Sequence, residues 1–177
     1  MPRFFSFVQV AVAGAAALMV MGCSHAPKAD AQAQAKLEAR SGSTVGGVVM
    51  LKAMGDRLLV EARVSGLTPG EHGFHVHESG DCSAPDAASA KGHFNPDGKG
   101  HGHHHGSERH AGDLPNLVAD ASGNASYKAE VPQLKLGHGT HNIVGRSLVV
   151  HADPDDYKSQ PAGNSGKRVA CGTIVAM

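Results

Sequence analysis

Two segments alternate apolar and polar residues with a period of two, and this pattern limits the fold more than any other feature of the chain. In residues 57–64 the even positions are leucine, valine or alanine and the odd positions are mainly charged, and residues 125–131 alternate in the same way. Such alternation is typical of strands with one buried face. Turn residues separate these segments from further short apolar ones. Strands are therefore predicted at residues 45–51, 57–64, 72–77, 125–131, 147–151 and 169–176, which indicates an all-β sandwich or barrel.

Two long segments lack this pattern. Residues 78–113 and 152–167 are rich in Gly, Pro, Asp and His and contain no strand-like run. Loops of this length in a compact domain are usually functional or disordered. Their many histidines favour a functional role.

The N-terminal part is predicted to be a targeting segment. Arg3 precedes an apolar run over residues 4–20, which is short for a membrane span and typical of a secretory signal. Cys23 follows Gly22, as in the signals of bacterial lipoproteins. We expect a lipoprotein-type signal over residues 1–22, a lipid on Cys23 and a flexible tether over residues 23–43, at most transiently helical at 31–39. The alternative is an ordinary signal cut near Cys23 without a lipid.

Charge and cysteine content narrow the function. The 16 basic and 16 acidic residues balance, which argues against a nucleic-acid partner. Thirteen histidines suggest metal binding. If Cys23 carries a lipid, Cys82 and Cys171 are left to pair, and such a disulfide persists in an oxidising compartment.

Histidines occur in two arrangements that suit a metal. His75 and His77 are two apart in a predicted strand, so their side chains project from the same face. A second group contains three imidazoles and a carboxylate, a donor set that suits a closed tetrahedral zinc site. This second group is His93, His101, His110 and Asp113. Taken singly, each arrangement could equally be a chance pair or a solvated polar loop.

Five segments together carry a family resemblance. They are GFHVHE (73–78), GHFNP (92–96), ERHAGDL (108–114), GRSLVVH (145–151) and RVACG (168–172). In order and spacing they resemble the signature segments of copper/zinc superoxide dismutases, especially the exported bacterial form. The resemblance extends over about residues 45–177, so we expect one such domain over residues 44–177.

The resemblance implies a Greek-key β-barrel or sandwich of immunoglobulin-like architecture with two long functional loops. It further implies dismutation of superoxide to dioxygen and hydrogen peroxide, protecting the cell envelope. His93 would bridge the two metals and supply a proton, and Arg168 would bind the anion beside copper. Asp155 would orient histidines of both sites, and Cys82 and Cys171 would form the family disulfide. The implied copper ligands are His75, His77, His93 and His151; the implied zinc ligands are His93, His101, His110 and Asp113.

Several alternatives stay open at this stage. A noncatalytic envelope protein that stores copper or zinc would explain the histidines but not Arg168. A zinc hydrolase is disfavoured because no HExxH segment occurs. Residues 103–105 are three consecutive histidines that either collect metal or are a tolerated polar insertion. Lys158 and Lys167 either rim the substrate channel or are solvated loop charges.

Four other histidines lie outside these arrangements. His25, His72, His138 and His141 are interpreted as structural or surface residues. Whether the domain is a monomer or a homodimer is not indicated.

Overall fold

The computed structural model describes residues 1–2 and 31–177, and these residues form an antiparallel all-β fold. The predicted signal, Cys23 and His25 lie outside the described residues. The described residues contain nine strands: β1 (Gln32–Ala39), β2 (Gly46–Met54), β3 (Arg57–Ser65), β4 (Gly70–His72), β5 (Phe74–His77), β6 (Leu117–Ala119), β7 (Ala125–Pro132), β8 (Ser147–His151) and β9 (Arg168–Ala176). Among the described residues, no helix is long and apolar enough to span a membrane.

Seven of the strands form one sheet in the order β5-β8-β9-β1-β2-β3-β7, and β4 pairs with β6. Strands β5 and β8, and strands β3 and β7, are paired although they are not consecutive in the chain, as in a Greek key. The all-β prediction with Greek-key topology is confirmed. The predicted alternation at residues 57–64 places Leu58, Val60, Ala62 and Val64 in the core.

The expectation of a tether is wrong for residues 32–39. These residues form β1, which lies between β9 and β2 in the sheet. Ala33, Ala35 and Leu37 are buried, while the glutamine, lysine and glutamate between them are exposed. The period of two was present in the sequence, but alanine is a weak apolar marker and the intervening residues favour helices. Strand β6, which is only three residues long, was also not predicted.

Strand β5 is buried on both faces, and this positions the site. Phe74 and Val76 belong to the main core, whereas His75 and His77 project from the opposite face and are also buried. That second face is covered by the loops at residues 78–113 and 152–167, whose only regular element is a short 3-10 turn at Ala88–Ala90. The prediction of two long irregular loops is therefore confirmed. A buried polar pocket results between the sheet and these loops.

A disulfide ties the first long loop to the last strand. Cys82 and Cys171 are bonded, at a sequence separation of 89. Cys171 packs with Val149 on β8 and with Ala87 and Ala90 of the loop. The bond therefore holds the loop against the sheet next to the end of β8.

Candidate metal centre

Four histidines meet on the covered face of β5 and β8. His75 and His77 come from β5 and His151 ends β8, while His93 reaches the group from the first long loop. One potential ligand atom from each lies within 4.8 Å of the others, and all four are buried. The predicted copper ligands are thus brought together.

The backbone of the long loop is paired with the free edge of β5, and this places His93. Val76 donates to the carbonyl of Gly112 and accepts from the amide of Phe94, at 3.0 and 2.8 Å. A side chain at Gly112 would bring its Cβ within 2.3 Å of the Val76 carbonyl oxygen, so only glycine permits this approach. His93 and Asp113 are consequently held opposite His77 and His75.

A second cluster converges on one oxygen of Asp113. The Nδ1 atoms of His93, His101 and His110 lie 2.9, 3.1 and 3.3 Å from Asp113 Oδ1. The other oxygen, Oδ2, accepts from the backbone amides of His110 and Gly102. These four residues are the predicted zinc set, and one ligand atom from each lies within 4.8 Å of the others. The carboxylate is oriented by backbone donors before any metal binds.

Asp155 connects the two clusters. Its Oδ2 accepts from His75 Nε2 at 2.7 Å and its Oδ1 accepts from His101 Nε2 at 2.8 Å. These bonds set the tautomer of both rings and direct Nδ1 of each toward its cluster. The position predicted for Asp155 is therefore observed. Asp155 is itself held by Asn116, which accepts from its backbone amide and donates to its carbonyl.

The remaining copper-side rings are oriented by backbone carbonyls. His77 Nδ1 lies 2.9 Å from the carbonyl of Lys91, and His151 Nδ1 lies 3.4 Å from that of Gly166. Since Nδ1 is the donor in each ring, Nε2 carries the lone pair. The two Nε2 atoms lie 3.4 Å apart, so two lone pairs face each other. A cation between them would relieve this repulsion.

Burial keeps most copper-side histidines neutral. It lowers the pKa of His93 to about 4, although the hydrogen bond with Asp113 opposes the shift. It also lowers the pKa of His77 and of His151 well below the ordinary value, and the neighbouring histidines add to the effect. A neutral imidazole is the form that binds a metal.

His101 behaves differently because it lies between two carboxylates. Burial lowers its pKa, but the neighbouring carboxylates of Asp113 and Asp155 outweigh burial and raise it to about 9. Burial likewise acts to raise the pKa of Asp113, yet the hydrogen bonds from the histidines around it hold that pKa far below its usual range. The ionised form of Asp113 and the protonated form of His101 are therefore both favoured.

Arg168 lies beside the copper-side cluster, in register with His151 across β8 and β9. A β-bulge between Val150 and His151 brings the two residues opposite each other. The Arg168 guanidinium donates to the carbonyls of Ala87 and Lys91 at 2.7 and 2.6 Å. It is thus fixed in position while remaining partly accessible.

A cavity of about 280 Å³ opens beside these residues. Its lining consists of His77, Gly92, His93, Asn95, His110, His151, Pro161, Ala162 and Arg168. Lys158 and Lys167 are exposed elsewhere on the second loop and are not part of this lining. The cavity is large enough for a small anion and is bordered by one fixed cation.

The other histidines in the part of the chain that the structure describes do not join the clusters. His103 and His104 stack at 4.1 Å between ring centroids, and His103 also contacts Tyr157 at 4.7 Å. His72 is buried between the carbonyls of His151 and Thr68, as a structural residue would be. His141 pairs with Asp97 at 3.0 Å, and His138 is exposed.

The site also includes residues that were not predicted from the sequence, and two of them lie on the second long loop. Gln160 hydrogen-bonds both backbone groups of His101, and Gly163 packs directly against the bond between His101 and Asp155. Neither residue type signals a metal site, and only the path of the second loop brings them there.

The donor atoms fit two bound metal ions. His75 Nδ1 and His93 Nε2 are buried without a hydrogen-bond partner, as is His101 Nδ1 despite its proximity to Asp113. A buried nitrogen without a partner is costly unless a ligand binds it. Four imidazoles suit copper, and three imidazoles with one carboxylate suit zinc.

Comparison with known proteins agrees with this chemistry. Residues 45–174 match the family model described as copper/zinc superoxide dismutase. "Superoxide dismutase [Cu-Zn] 2" of Aquifex aeolicus is 43% identical over 150 residues, which are 82% of this chain and 87% of that protein. "Superoxide dismutase [Cu-Zn] 1" of the same organism is 47% identical over 122 residues, 66% and 72% of the two chains.

Two further similarities extend the comparison. The human copper chaperone for superoxide dismutase is 44% identical over 138 residues, but these are 48% of its own length and 74% of this chain. The crystal structure of the clock protein EA4 superposes with a TM-score of 0.77 at 38% identity and covers 86% of this chain and 99% of that one. The match of fold, family model and full-length relatives shows that the chain belongs to the copper/zinc superoxide dismutase family, whose members bind copper and zinc.

Proposed function

We propose that this protein converts two superoxide anions and two protons into dioxygen and hydrogen peroxide. The observation that carries the proposal is the position of His93 in both ligand clusters. Its Nδ1 is directed at Asp113, and its Nε2 is buried without a hydrogen-bond partner. The His93 imidazole would therefore contribute to the ligand sets of both metals.

The ligands divide between the two metals according to their donor types. His75, His77, His93 and His151 would hold copper, and His93, His101, His110 and Asp113 would hold zinc. Copper held by the first set would supply the one-electron redox chemistry that dismutation needs. The zinc cluster has no redox role and is suited to fixing the first loop and the His93 ring.

The protein's own groups bind the anion and supply a proton. Arg168 is held by two carbonyls next to the cavity, so it can receive superoxide without first being ordered. His93 Nε2 can hold a proton while Nδ1 stays directed at Asp113, and it can release that proton to the peroxide product. Burial of the histidines excludes bulk water from the ligand atoms.

The test uses the full-length protein loaded with copper and zinc. We expect rapid dismutation of superoxide that collapses in His151→Ala, since this variant loses one copper ligand. His141→Ala is the matched control because His141 lies outside both clusters. Dismutation that persisted in His151→Ala at the wild-type rate would refute the assignment of the site.

A second candidate is a noncatalytic copper- and zinc-binding protein of the cell envelope. The similarity to copper chaperones for superoxide dismutase favours it. The matched part covers about half of each chaperone. The combination of a complete four-histidine cluster with a fixed arginine favours the enzyme. A wild-type protein that bound both metals and showed no dismutation would decide for the noncatalytic role.

We also propose that the enzyme acts in the periplasm, anchored by a lipid on Cys23, and protects the envelope from superoxide. The disulfide between Cys82 and Cys171 is consistent with an oxidising compartment. Eight residues separate Cys23 from β1, which allows a reach of about 28 Å at full extension. Incorporation of labelled fatty acid in the wild type and its loss in Cys23→Ala would support the anchor, whereas unlabelled wild type would exclude it.

A further inference from the structure

Gln160 makes a two-point contact with the peptide of His101, which is 59 residues away in sequence. Its Oε1 accepts from the His101 amide at 2.8 Å, and its Nε2 donates to the His101 carbonyl at 2.8 Å. Only a side-chain amide has a carbonyl and an NH₂ side by side in this arrangement. The contact therefore depends on the chemistry of Gln160 and not on its size alone.

The same loop also holds the ring of His101. Asp155 accepts from Nε2, and the backbone of Gly163 lies against this bond. His101 is thus held at its backbone by Gln160 and at its ring by Asp155. The atom left for a metal is Nδ1, which points toward Asp113.

The two residues that follow Gln160 in the chain form part of the cavity wall. Pro161 and Ala162 line the cavity together with His151 and Arg168. Position 160 therefore connects two parts of the site: its side chain contacts a predicted zinc ligand, and the two residues that follow it line the cavity beside the copper-side cluster.

We propose that Gln160 is a positioning residue that couples the zinc ligand His101 to the cavity wall at Pro161 and Ala162. Zinc binding fixes His101, His101 fixes Gln160, and Gln160 fixes the wall. Because such coupling is reciprocal, an ordered wall also strengthens the binding of zinc. The inference rests on the proposed zinc site, but it concerns zinc binding and loop order and does not require dismutase activity.

The first test measures zinc release from full-length protein loaded with zinc alone, using a chromogenic chelator. Gln160→Ala should bind zinc roughly 10-fold more weakly, the usual effect of removing a group that orients a ligand, and should release it correspondingly faster. Gln160→Glu should also release zinc faster, since it keeps the acceptor and places an oxygen where the donor was.

The control for the first test is Asn164→Gly. Asn164 Nδ2 also makes two side-chain hydrogen bonds, but to Asp156 and Ser159 of its own loop. Its φ of 52° suits glycine. Zinc release close to the wild-type rate is expected for this variant. Equal acceleration in Asn164→Gly and Gln160→Ala would reduce Gln160 to a general loop-stabilising residue and overturn the proposal.

The second test measures amide hydrogen exchange over residues 159–166 with and without zinc. In the wild type, zinc should slow the exchange of the Gly163 amide, which donates to the carbonyl of Ser159. In Gln160→Ala with zinc bound, this slowing should be lost. Full protection in that variant would show that the wall is ordered by another route.

The outcomes separate this inference from the proposed function. A wild type that binds zinc, shows the Gln160 dependence and lacks dismutase activity would leave the coupling standing and remove the enzymatic proposal. An active enzyme whose zinc release and amide exchange are unchanged in Gln160→Ala would overturn the coupling and leave the enzymatic proposal standing.

Discussion

Replacing Gly163 by alanine should break the hydrogen bond between His101 and Asp155, which connects the two long loops. Gly163 has a φ of 65°, and a Cβ there would lie 1.8 Å from Asp155 Oδ1 and 2.7 Å from His101 Nε2. Both distances are shorter than any real contact, so the hydrogen bond between Asp155 and His101 must open. The substitution therefore acts on zinc binding although glycine has no ligand atom.

The cost has two parts. A left-handed backbone costs a residue with a Cβ about 1–2 kcal/mol. Loss of a buried hydrogen bond to a charged group adds about 1.5–3 kcal/mol. The free energy of unfolding should therefore fall by roughly 2.5–5 kcal/mol in total.

Gly98→Ala separates the two parts. Gly98 has a φ of 63°, nearly the same as that of Gly163, but no atom lies within 4 Å of a Cβ built there. Gly98→Ala should show the backbone cost alone, and the difference between the variants should be about 1.5–3 kcal/mol. Urea unfolding measures both variants, and zinc content after dialysis should fall only in Gly163→Ala. Equal destabilisation with zinc retained in both would refute the view that this contact is rigid.

Three further predictions concern other parts of the site. Cys82→Ser should lower the free energy of unfolding by up to about 4.6 kcal/mol, the chain-entropy limit for a disulfide with a sequence separation of 89. Urea unfolding that matches the wild type would contradict this. Arg168→Lys should keep both metals but lose most dismutase activity, because an ammonium lacks the planar fork that donates to two carbonyls; full activity with metal content unchanged would rule out the anchored cation. Metal-free protein should lose stability as the pH falls from about 6.5 to about 4, because the unfolded chain takes up protons that buried His93 and His77 do not. The free energy of unfolding should fall by roughly 1.4 kcal/mol per pH unit for each of these histidines. A urea midpoint that is constant over this range would show that these rings titrate normally.

The fold and both ligand sets could be predicted from the sequence to a large extent. Period-two alternation identified the strands with branched apolar residues, such as 57–64, since the alternation itself reports one buried face. The ligands were identified through the resemblance carried by short motifs, not through spacing alone. The same alternation was missed at β1, where alanine provides little contrast and the burial of Ala33 and Ala35 depends on the neighbouring strands β9 and β2.

The remaining features were decided by the tertiary structure because they depend on contacts between residues far apart in sequence. The amide of Gln160 finds the peptide of His101 only after the second loop has folded over the first. Gly112 and Gly163 are required by backbone and side-chain atoms that pack where a Cβ would be, a restriction no local pattern reveals. The sequence by itself thus determined which residue types are available to bind metal and which segments form strands. The folded chain decided which nitrogen of each ring is free, because that depends on the partner of the other nitrogen, and for His75 and His101 this partner is a carboxylate on a different loop.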